Sequence, residues 1–314
     1  MKFFLKKLLI FLLPFLFFYP ILEINLSRMP IFYSEKKEFL ESHLSEIEIL
    51  STGSSHGNAI NPQFLSHKDF NLFNYGQDIY YDVLLVEKYL DRIPNLKMVI
   101  FPISYFSLEY RLDHTPAAWQ EPLYKFYWDI PPQDFRSYLN IGFFSYTAAH
   151  GWQDVRGYIE NGFVSMATQK MKSDGWTDSG VQPMIDSPIS ERSAWQEVNL
   201  VESVMMDPSA IEGNLNLLSK FIEFCQSRHI KVMFITTPVY HYYYDHIDPL
   251  KYQRLQDNLE ILINRYHVPY FNFLKDPHFV AADFHDPDHL NAVGAEKFSK
   301  MLDIIISKEL DLSD

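Results

Sequence analysis

The chain has 314 residues, enough for one large α/β domain or two ordinary ones, and its 47% hydrophobic and 21% charged composition is that of a folded rather than a disordered protein. A net charge of −13, with no basic stripe beyond the extreme N-terminus, excludes phosphate-backbone binding, so no nucleic-acid partner is expected. The single cysteine, Cys225, excludes an intrachain disulfide and a cysteine metal cluster, and reads as a buried apolar residue of a helix.

The N-terminus opens with Lys2, Lys6 and Lys7 ahead of an uncharged apolar run from Leu8 to Leu22. With Phe3 to Leu5 included and Lys6 and Lys7 snorkelling to the interface, the run reaches the roughly 20 residues that a bilayer crossing needs. A cleaved signal peptide is the rival reading, but Tyr19-Pro20-Ile21-Leu22-Glu23 offers no small-x-small cleavage site. The expectation is an uncleaved anchor over residues 1–27, its lysines on the cytoplasmic side and residues 28–314 outside the cytoplasmic membrane.

Beyond the anchor, residues Ser34 to Ser45 predict a short polar helix. Ile47 to Leu50 alternates as a strand and runs into Ser51-Thr52-Gly53-Ser54-Ser55-His56-Gly57-Asn58. Phe70 to Tyr75 predicts a second strand ending at Gly76, Asp78 to Leu90 a helix, and Lys97 to Ile103 a third strand. From about residue 105 to 208 the rhythm breaks: all five tryptophans fall here, with Pro131-Pro132, and an insertion or cap is expected. Regular order resumes with a helix over Ala210 to Arg228, a buried strand over Lys231 to Thr237, and a helix over Pro249 to Tyr266. A short strand over Val268 to Phe273 and a helix over Val293 to Leu310 complete it. Strands alternating with helices predict an α/β fold with a mostly parallel sheet, whose ligands sit beyond the carboxyl ends of its strands.

Two segments carry residues suited to chemistry. Gly53-Ser54-Ser55-His56-Gly57-Asn58 follows a strand directly, and a serine on such a turn is exposed where helix-terminal amides favour a developing negative charge. Late in the chain stands Asp283-Phe284-His285-Asp286-Pro287-Asp288-His289-Leu290-Asn291. The spacing of Asp286 and His289 lets the carboxylate reach the imidazole Nδ1 and leaves Nε2 free to take a hydroxyl proton. The same stretch also reads as an Asp-rich turn with Asn291 capping the last helix. His285, Asp286, Asp288 and His289 are metal-ligating types, but Pro287 disturbs the helical spacing, and neither a metal nor a cofactor is expected. Tyr240, after the Thr237-Pro238 strand end, is placed to border a cleft and stack on sugar; loop packing is the alternative.

Together, an early Gly-Ser-Ser and a late Asp-x-x-His resemble the SGNH, or GDSL-like, hydrolase superfamily. Gly53-Ser54-Ser55 matches its first block, with Ser54 where most members carry Asp. Asn74-Tyr75-Gly76 resembles its second block and Asp286-Pro287-Asp288-His289 its last. The resemblance covers roughly residues 47–104 and 215–310. It implies a three-layer α/β/α fold, Ser55 as nucleophile (Ser54 being the rival), and Asp286 and His289 as acid–base partners. It also implies an oxyanion hole from the Ser55 and Gly76 amides. The third block departs: Ser104 stands where the family carries Asn, and its hydroxyl takes the place of the side-chain donor in this resemblance. His56 and Asn58, beside the nucleophile, are expected as substrate contacts, a structural hydrogen bond being the other reading of His56. Within the superfamily the chain looks most like a membrane-anchored acyl-transfer branch. That implies transfer of an acyl group, acetyl foremost, from a membrane-bound O-acyltransferase to a cell-envelope polysaccharide. An anchored carbohydrate esterase and a non-catalytic polysaccharide-binding adaptor are the alternatives.

Overall fold

The computed structural model describes residues 2–162 and 171–311. In chain order its longer elements are α1 (Lys2–Ser27), α2 (Phe32–His43), β1 (Ile49–Ser51), β2 (Asp69–Asn71), α3 (Ile79–Leu90), β3 (Met98–Pro102), α4 (Tyr146–Glu160) and α5 (Pro188–Leu200). They continue with α6 (Ala210–Gln226), β4 (Lys231–Thr236), α7 (Pro249–Tyr266), β5 (Tyr270–Asn272), β6 (Phe284–Asp286), β7 (His289–Leu290) and α8 (Ala292–Asp311). The chain divides into two compact units, Met1–Lys37 with Trp119–Thr168, and Glu38–Ala118 with Gln169–Asp314. The segment expected as one insertion, 105–208, is therefore shared between the units, and its residues 163–170 lie outside the described residues.

The larger unit is built on a five-stranded sheet of order β2-β1-β3-β4-β5, with every neighbouring pair parallel. Parallel sheets need apolar cover on both faces, which explains runs such as Met98-Val99-Ile100-Phe101. Alternate residues divide between the two faces. Met98, Ile100, Met233 and Ile235 pack with Phe298, Leu302 and Ile306 of α8. On the opposite face Phe101 meets Phe221 of α6 at a ring distance of 6.0 Å. The result is three layers, α/β/α. Cys225 is fully buried on α6, and burial pushes its thiol up to about 12.

From β1 the chain moves to the edge strand β2, then returns to β3 on the other side of β1 and proceeds outward. Strand order thus reverses between β1 and β3, and in open α/β sheets the crevice at such a reversal is where ligands bind. β2 is shorter than the hydrophobic run predicts. After it, Asn71 Oδ1 accepts the Phe73 N–H (3.0 Å), and this side-chain turn ends the strand. Asp78 caps α3 by accepting the Tyr81 N–H (3.1 Å). One turn on, the buried Asp82 carboxyl accepts the Gly53 N–H (2.7 Å) and Gln77 Nε2 (2.6 Å), tying α3 to the loop after β1.

In the smaller unit, Leu26 at the end of α1 is fully buried against Val155 and Tyr158 of α4. The Glu23 carboxylate accepts the Tyr146 N–H (2.7 Å), the Thr147 N–H (3.1 Å) and the Ser145 hydroxyl (2.9 Å), satisfying the first turn of α4. The remainder of α1 is an exposed apolar cylinder. Phe3–Ser27 is long and apolar enough to cross a membrane, at 25 residues and a mean hydropathy of 2.0.

Burial pushes the Asp82 carboxyl up to about 7, against the hydrogen bonds it accepts. The folded state therefore holds a proton that the unfolded chain releases near its ordinary value of 3.8. The stabilisation from this group is complete below that value and is lost as pH rises through about 7. In urea unfolding followed by tryptophan fluorescence, Asp82→Asn should therefore gain on wild type from pH 4 to pH 7, by at most about 1.4 kcal/mol per pH unit. Parallel stability curves for the two proteins would refute this.

Candidate active site

The loop after β1 owes its shape to two glycines. Gly53 has φ 113°, a conformation that side chains resist, and it turns the chain out of the sheet. The Ser54 carbonyl then accepts the Gly57 N–H (2.8 Å), winding Ser55–Ala59 into a 3₁₀ turn. That turn is pressed onto the sheet: a Cβ at Gly57 would lie 2.3 Å from the Thr52 carbonyl oxygen and 2.7 Å from Phe73 Cβ. Ser55 is left half-buried at the rim while His56 is buried beneath it.

The late segment forms a β6–β7 hairpin that sequence reading took for a turn. Asp286 Oδ1 accepts the Asp288 N–H (3.1 Å) and the His289 N–H (2.8 Å), closing the hairpin around Pro287. The Tyr240 N–H donates to the Pro287 carbonyl (2.8 Å), so the chain leaving β4 pins the same turn. Asn291 Oδ1 accepts the N–H groups of Val293 (2.9 Å) and Gly294 (3.0 Å) at the start of α8.

These two loops meet. His289 Nε2 lies 2.7 Å from Ser55 Oγ. Its Nδ1 faces two carboxylates, Asp286 at 3.0 and 3.1 Å and Asp288 at 3.1 Å. Their surroundings differ: the Asp288 side chain is 10% exposed and the Asp286 side chain 39%. Asp288 extends the array further, its Oδ2 lying 3.5 Å from His56 Nε2, and His56 Nδ1 lies 2.5 Å from Ser104 Oγ. A serine hydroxyl on an imidazole that is in turn held by carboxylates is the arrangement that activates a nucleophile.

The charges set the protonation. Burial lowers the affinity of His289 for a proton. The Asp288 charge, hydrogen bonds to both carboxylates and the Asp286 charge outweigh it, holding the imidazole well above the usual histidine value. Burial works against ionised Asp288, yet the charge and hydrogen bond of His289, with the His56 ring beside it, hold it well below the carboxylate range. Glu197 of α5 is half-buried and titrates upward, through burial first and then the Asp288 charge.

The residues proposed from sequence do not all reach this centre. Ser55, Asp286 and His289 are brought together, and the Nε2 contact goes to Ser55 rather than Ser54. Gly76 lies in the turn after β2 (φ 70°), tied to the nucleophile loop by the Asn74 N–H to the Gly53 carbonyl (3.1 Å). Ser104, expected as the side-chain oxyanion donor, has its hydroxyl 2.5 Å from His56 Nδ1, and its N–H donates to Ser107 Oγ (2.8 Å). Asn58 is scaffold instead of a substrate contact. It is buried, donates to the Thr177 carbonyl (3.0 Å) and accepts the Thr177 N–H (3.2 Å). Tyr240 is buried against Phe284, and its hydroxyl donates to Asp186 (3.0 Å), so its ring is not offered for stacking. His56 is buried, with its Nδ1 2.5 Å from Ser104 Oγ.

Sequence reading missed Asp288 as a partner of His289, although Asp-His adjacency was visible. Neighbours in a regular element point apart, and only the hairpin turn brings this pair together. Among the described residues His56, Asp288 and His289 are the group whose nitrogen and oxygen atoms gather within 4.8 Å. One ring nitrogen of each histidine faces a carboxylate oxygen and the other a serine hydroxyl, which makes the group an acid–base array.

No family model matches the chain, and no curated protein matches it. Solved structures that resemble it include a provisionally named acylhydrolase from Bacteroides fragilis, 11% identical over 87% of this chain and 96% of that one, with a TM-score of 0.41. A GDSL-like lipase from Bacteroides thetaiotaomicron is 10% identical over 90% and 100%, at a TM-score of 0.41. A provisionally named platelet activating factor from Streptococcus pneumoniae is 14% identical over 88% and 92%, at 0.40. These likenesses are distant, and the chemistry of this chain is read from its own side chains.

The close fit at Gly57 has a measurable consequence. Gly57→Ala should lower stability by about 1–3 kcal/mol in urea unfolding, because the methyl group meets backbone that has little room to yield. A variant as stable as wild type would show that the turn is not pressed onto Thr52.

Proposed function

We propose that this chain is a membrane-anchored, serine-dependent acyl-transfer enzyme of SGNH type, moving an acyl group, acetyl foremost, onto hydroxyls of a cell-envelope polysaccharide. The observation that carries the reading is the 2.7 Å contact of His289 Nε2 with Ser55 Oγ, with Asp286 and Asp288 behind the ring. Ser55 Oγ attacks the acyl carbonyl and its proton passes to His289 Nε2. The bond to the donor breaks, and the donor's leaving oxygen takes that proton. An acceptor hydroxyl then gives its proton to His289 and attacks the acyl carbon. The Ser55 ester bond breaks and Oγ recovers the proton. The backbone N–H groups of Ser55 and Gly76 are the proposed oxyanion donors.

The anchor reading is supported by the end of α1. Glu23 caps α4 and Leu26 is fully buried with Val155 and Tyr158, so removal of the helix would strip partners from the smaller unit. Lys6 and Lys7 then stay in the cytoplasm and the site faces outward, where a membrane-bound O-acyltransferase would present the acyl group. The acceptor class is supported by an open cleft of about 580 Å³ beside α5, where exposed Trp195 stands among Glu191, Arg192 and His246. An exposed indole among hydrogen-bonding groups of both charges suits a sugar ring. Hydrolysis is the second reading, since water can replace the acceptor at the same acyl-enzyme.

The full chain in detergent micelles, exposed to a fluorophosphonate, should label in wild type and Ser54→Ala but not in Ser55→Ala, with His289→Ala slowed at least 100-fold. Equal labelling of all four proteins would remove Ser55 as nucleophile. Added oligosaccharide should then draw acetyl from the acetylated enzyme faster than water does; water alone would establish the esterase. Because His289 must be unprotonated to accept the Ser55 proton, labelling should rise with pH through a midpoint above the ordinary histidine value of 6.5. Asp288→Asn should lower that midpoint, and one already at or below 6.5 in wild type would contradict the electrostatics of the array.

A further inference from the structure

We propose that Ser104 and His56 are positioning residues for the Ser55–His289 pair, acting through the Asp288 carboxylate they share with it. Ser104 on this view is not an oxyanion donor. The inference rests on the acyl-transfer reading of the same site. It comes from a count of protons along the buried array.

Ser104, His56 and Asp288 are all buried, at 4%, 6% and 8% exposure, so their polar atoms must satisfy one another. A serine hydroxyl has one proton to give, a neutral imidazole one N–H, and an ionised carboxylate none. His56 Nε2 has no partner within hydrogen-bond geometry, and the group it faces is Asp288 Oδ2 at 3.5 Å. If Nε2 carried a lone pair, two acceptors would oppose each other in a buried site, which is costly. Nε2 therefore carries the proton and Nδ1 the lone pair. The 2.5 Å contact at Nδ1 is then a bond donated by the Ser104 hydroxyl. With its only proton on His56, Ser104 has none for an oxyanion.

The protons then run toward the carboxylates. Ser104 donates to His56, whose Nε2–H faces Asp288 Oδ2 at 3.5 Å; His289 Nδ1–H donates to Asp286 with Asp288 Oδ1 3.1 Å away, and Ser55 donates to His289 Nε2. His56 holds one oxygen of the carboxylate, which aims the other at His289. The arm spans the reversal of strand order, because His56 follows β1 and Ser104 follows β3. The charged and titratable groups facing the array are Asp286 from β6, Glu197 from α5, and the buried Tyr243, whose hydroxyl titrates well above its usual range through burial and then the Asp288 charge.

The test is a mutant cycle on the full chain in detergent, read as the pH-dependent rate of fluorophosphonate labelling at Ser55. Ser104→Ala should slow labelling about 3- to 10-fold, the range of one buried hydrogen bond. In a His56→Phe background the same substitution should change the rate less than about 2-fold, since the residue it acts through is gone. Both single variants should move the acidic limb to higher pH, because His56→Phe removes the donor facing Asp288 and Ser104→Ala removes the bond that holds it there, leaving Asp288 the stronger base. His56→Gln, whose amide N–H sits near the Nε2 position, should recover most of the rate. If His56→Phe does not fold, the cycle is run in His56→Leu, which likewise offers Ser104 no acceptor. A full Ser104→Ala effect persisting in either background, or limbs that do not move, overturns the proposal and returns Ser104 to an independent role. That failure is distinct from failure of the parent reading, which appears as labelling indifferent to Ser55→Ala and removes both.

Discussion

An ionised carboxylate buried between two imidazoles is the constraint around which the larger unit is arranged. A lone buried charge costs several kcal/mol, so Asp288 persists in that form only where donors meet both of its oxygens. His289 meets Oδ1 and His56 faces Oδ2. The two rings belong to loops more than 200 residues apart in sequence, and the carboxylate binds those loops to each other. The hairpin turn closed by Asp286, and the Tyr240 N–H on the Pro287 carbonyl, hold Asp288 where this is possible. The same pairing raises the basicity of His289, so the device that secures the fold also tunes the base.

Sheet topology supplies the other half of the site. Parallel neighbours end on the same side, so the loops after β1, β2 and β3 open together, and the reversal of order leaves a gap between β1 and β3. The loop after β1 fills that gap by lying flat on the strand ends, which requires a glycine at 57. Asp82, from the first turn of α3, holds the Gly53 amide from below. Such a site sits on strand ends and helix starts, and rigid elements hold reacting groups more closely than free loops do.

The smaller unit solves a related problem at the end of an apolar helix. Glu23 is the one acidic residue between Lys2 and Ser27, and its carboxylate answers the unsatisfied amides at the start of α4. An acidic residue next to an apolar run looks like a simple boundary marker in sequence. In the fold it is a helix cap delivered by another element, with Leu26 packed beside it.

How much could be read without coordinates follows from which interactions are local. Hydrophobic periodicity placed the helices over Pro249–Tyr266 and Ala210–Gln226 and the strand over Lys231–Thr236 within two residues, because side-chain alternation is a property of adjacent positions. The pairing of Asp286 with His289 was legible for the same reason, three residues apart on one turn. Ser55 was legible only through family resemblance, since two adjacent serines look alike until one of them faces an imidazole. The β6–β7 hairpin, the inward turn of Asn58 and Tyr240, and the division of residues 105–208 between two units were not legible, because each depends on partners far along the chain. Ser104 shows the limit most clearly. Sequence placed it at the end of β3, beside the site. Only tertiary structure could decide where its single proton goes, because a hydroxyl's role is set by the acceptor it meets, and that acceptor, His56, arrives from another strand.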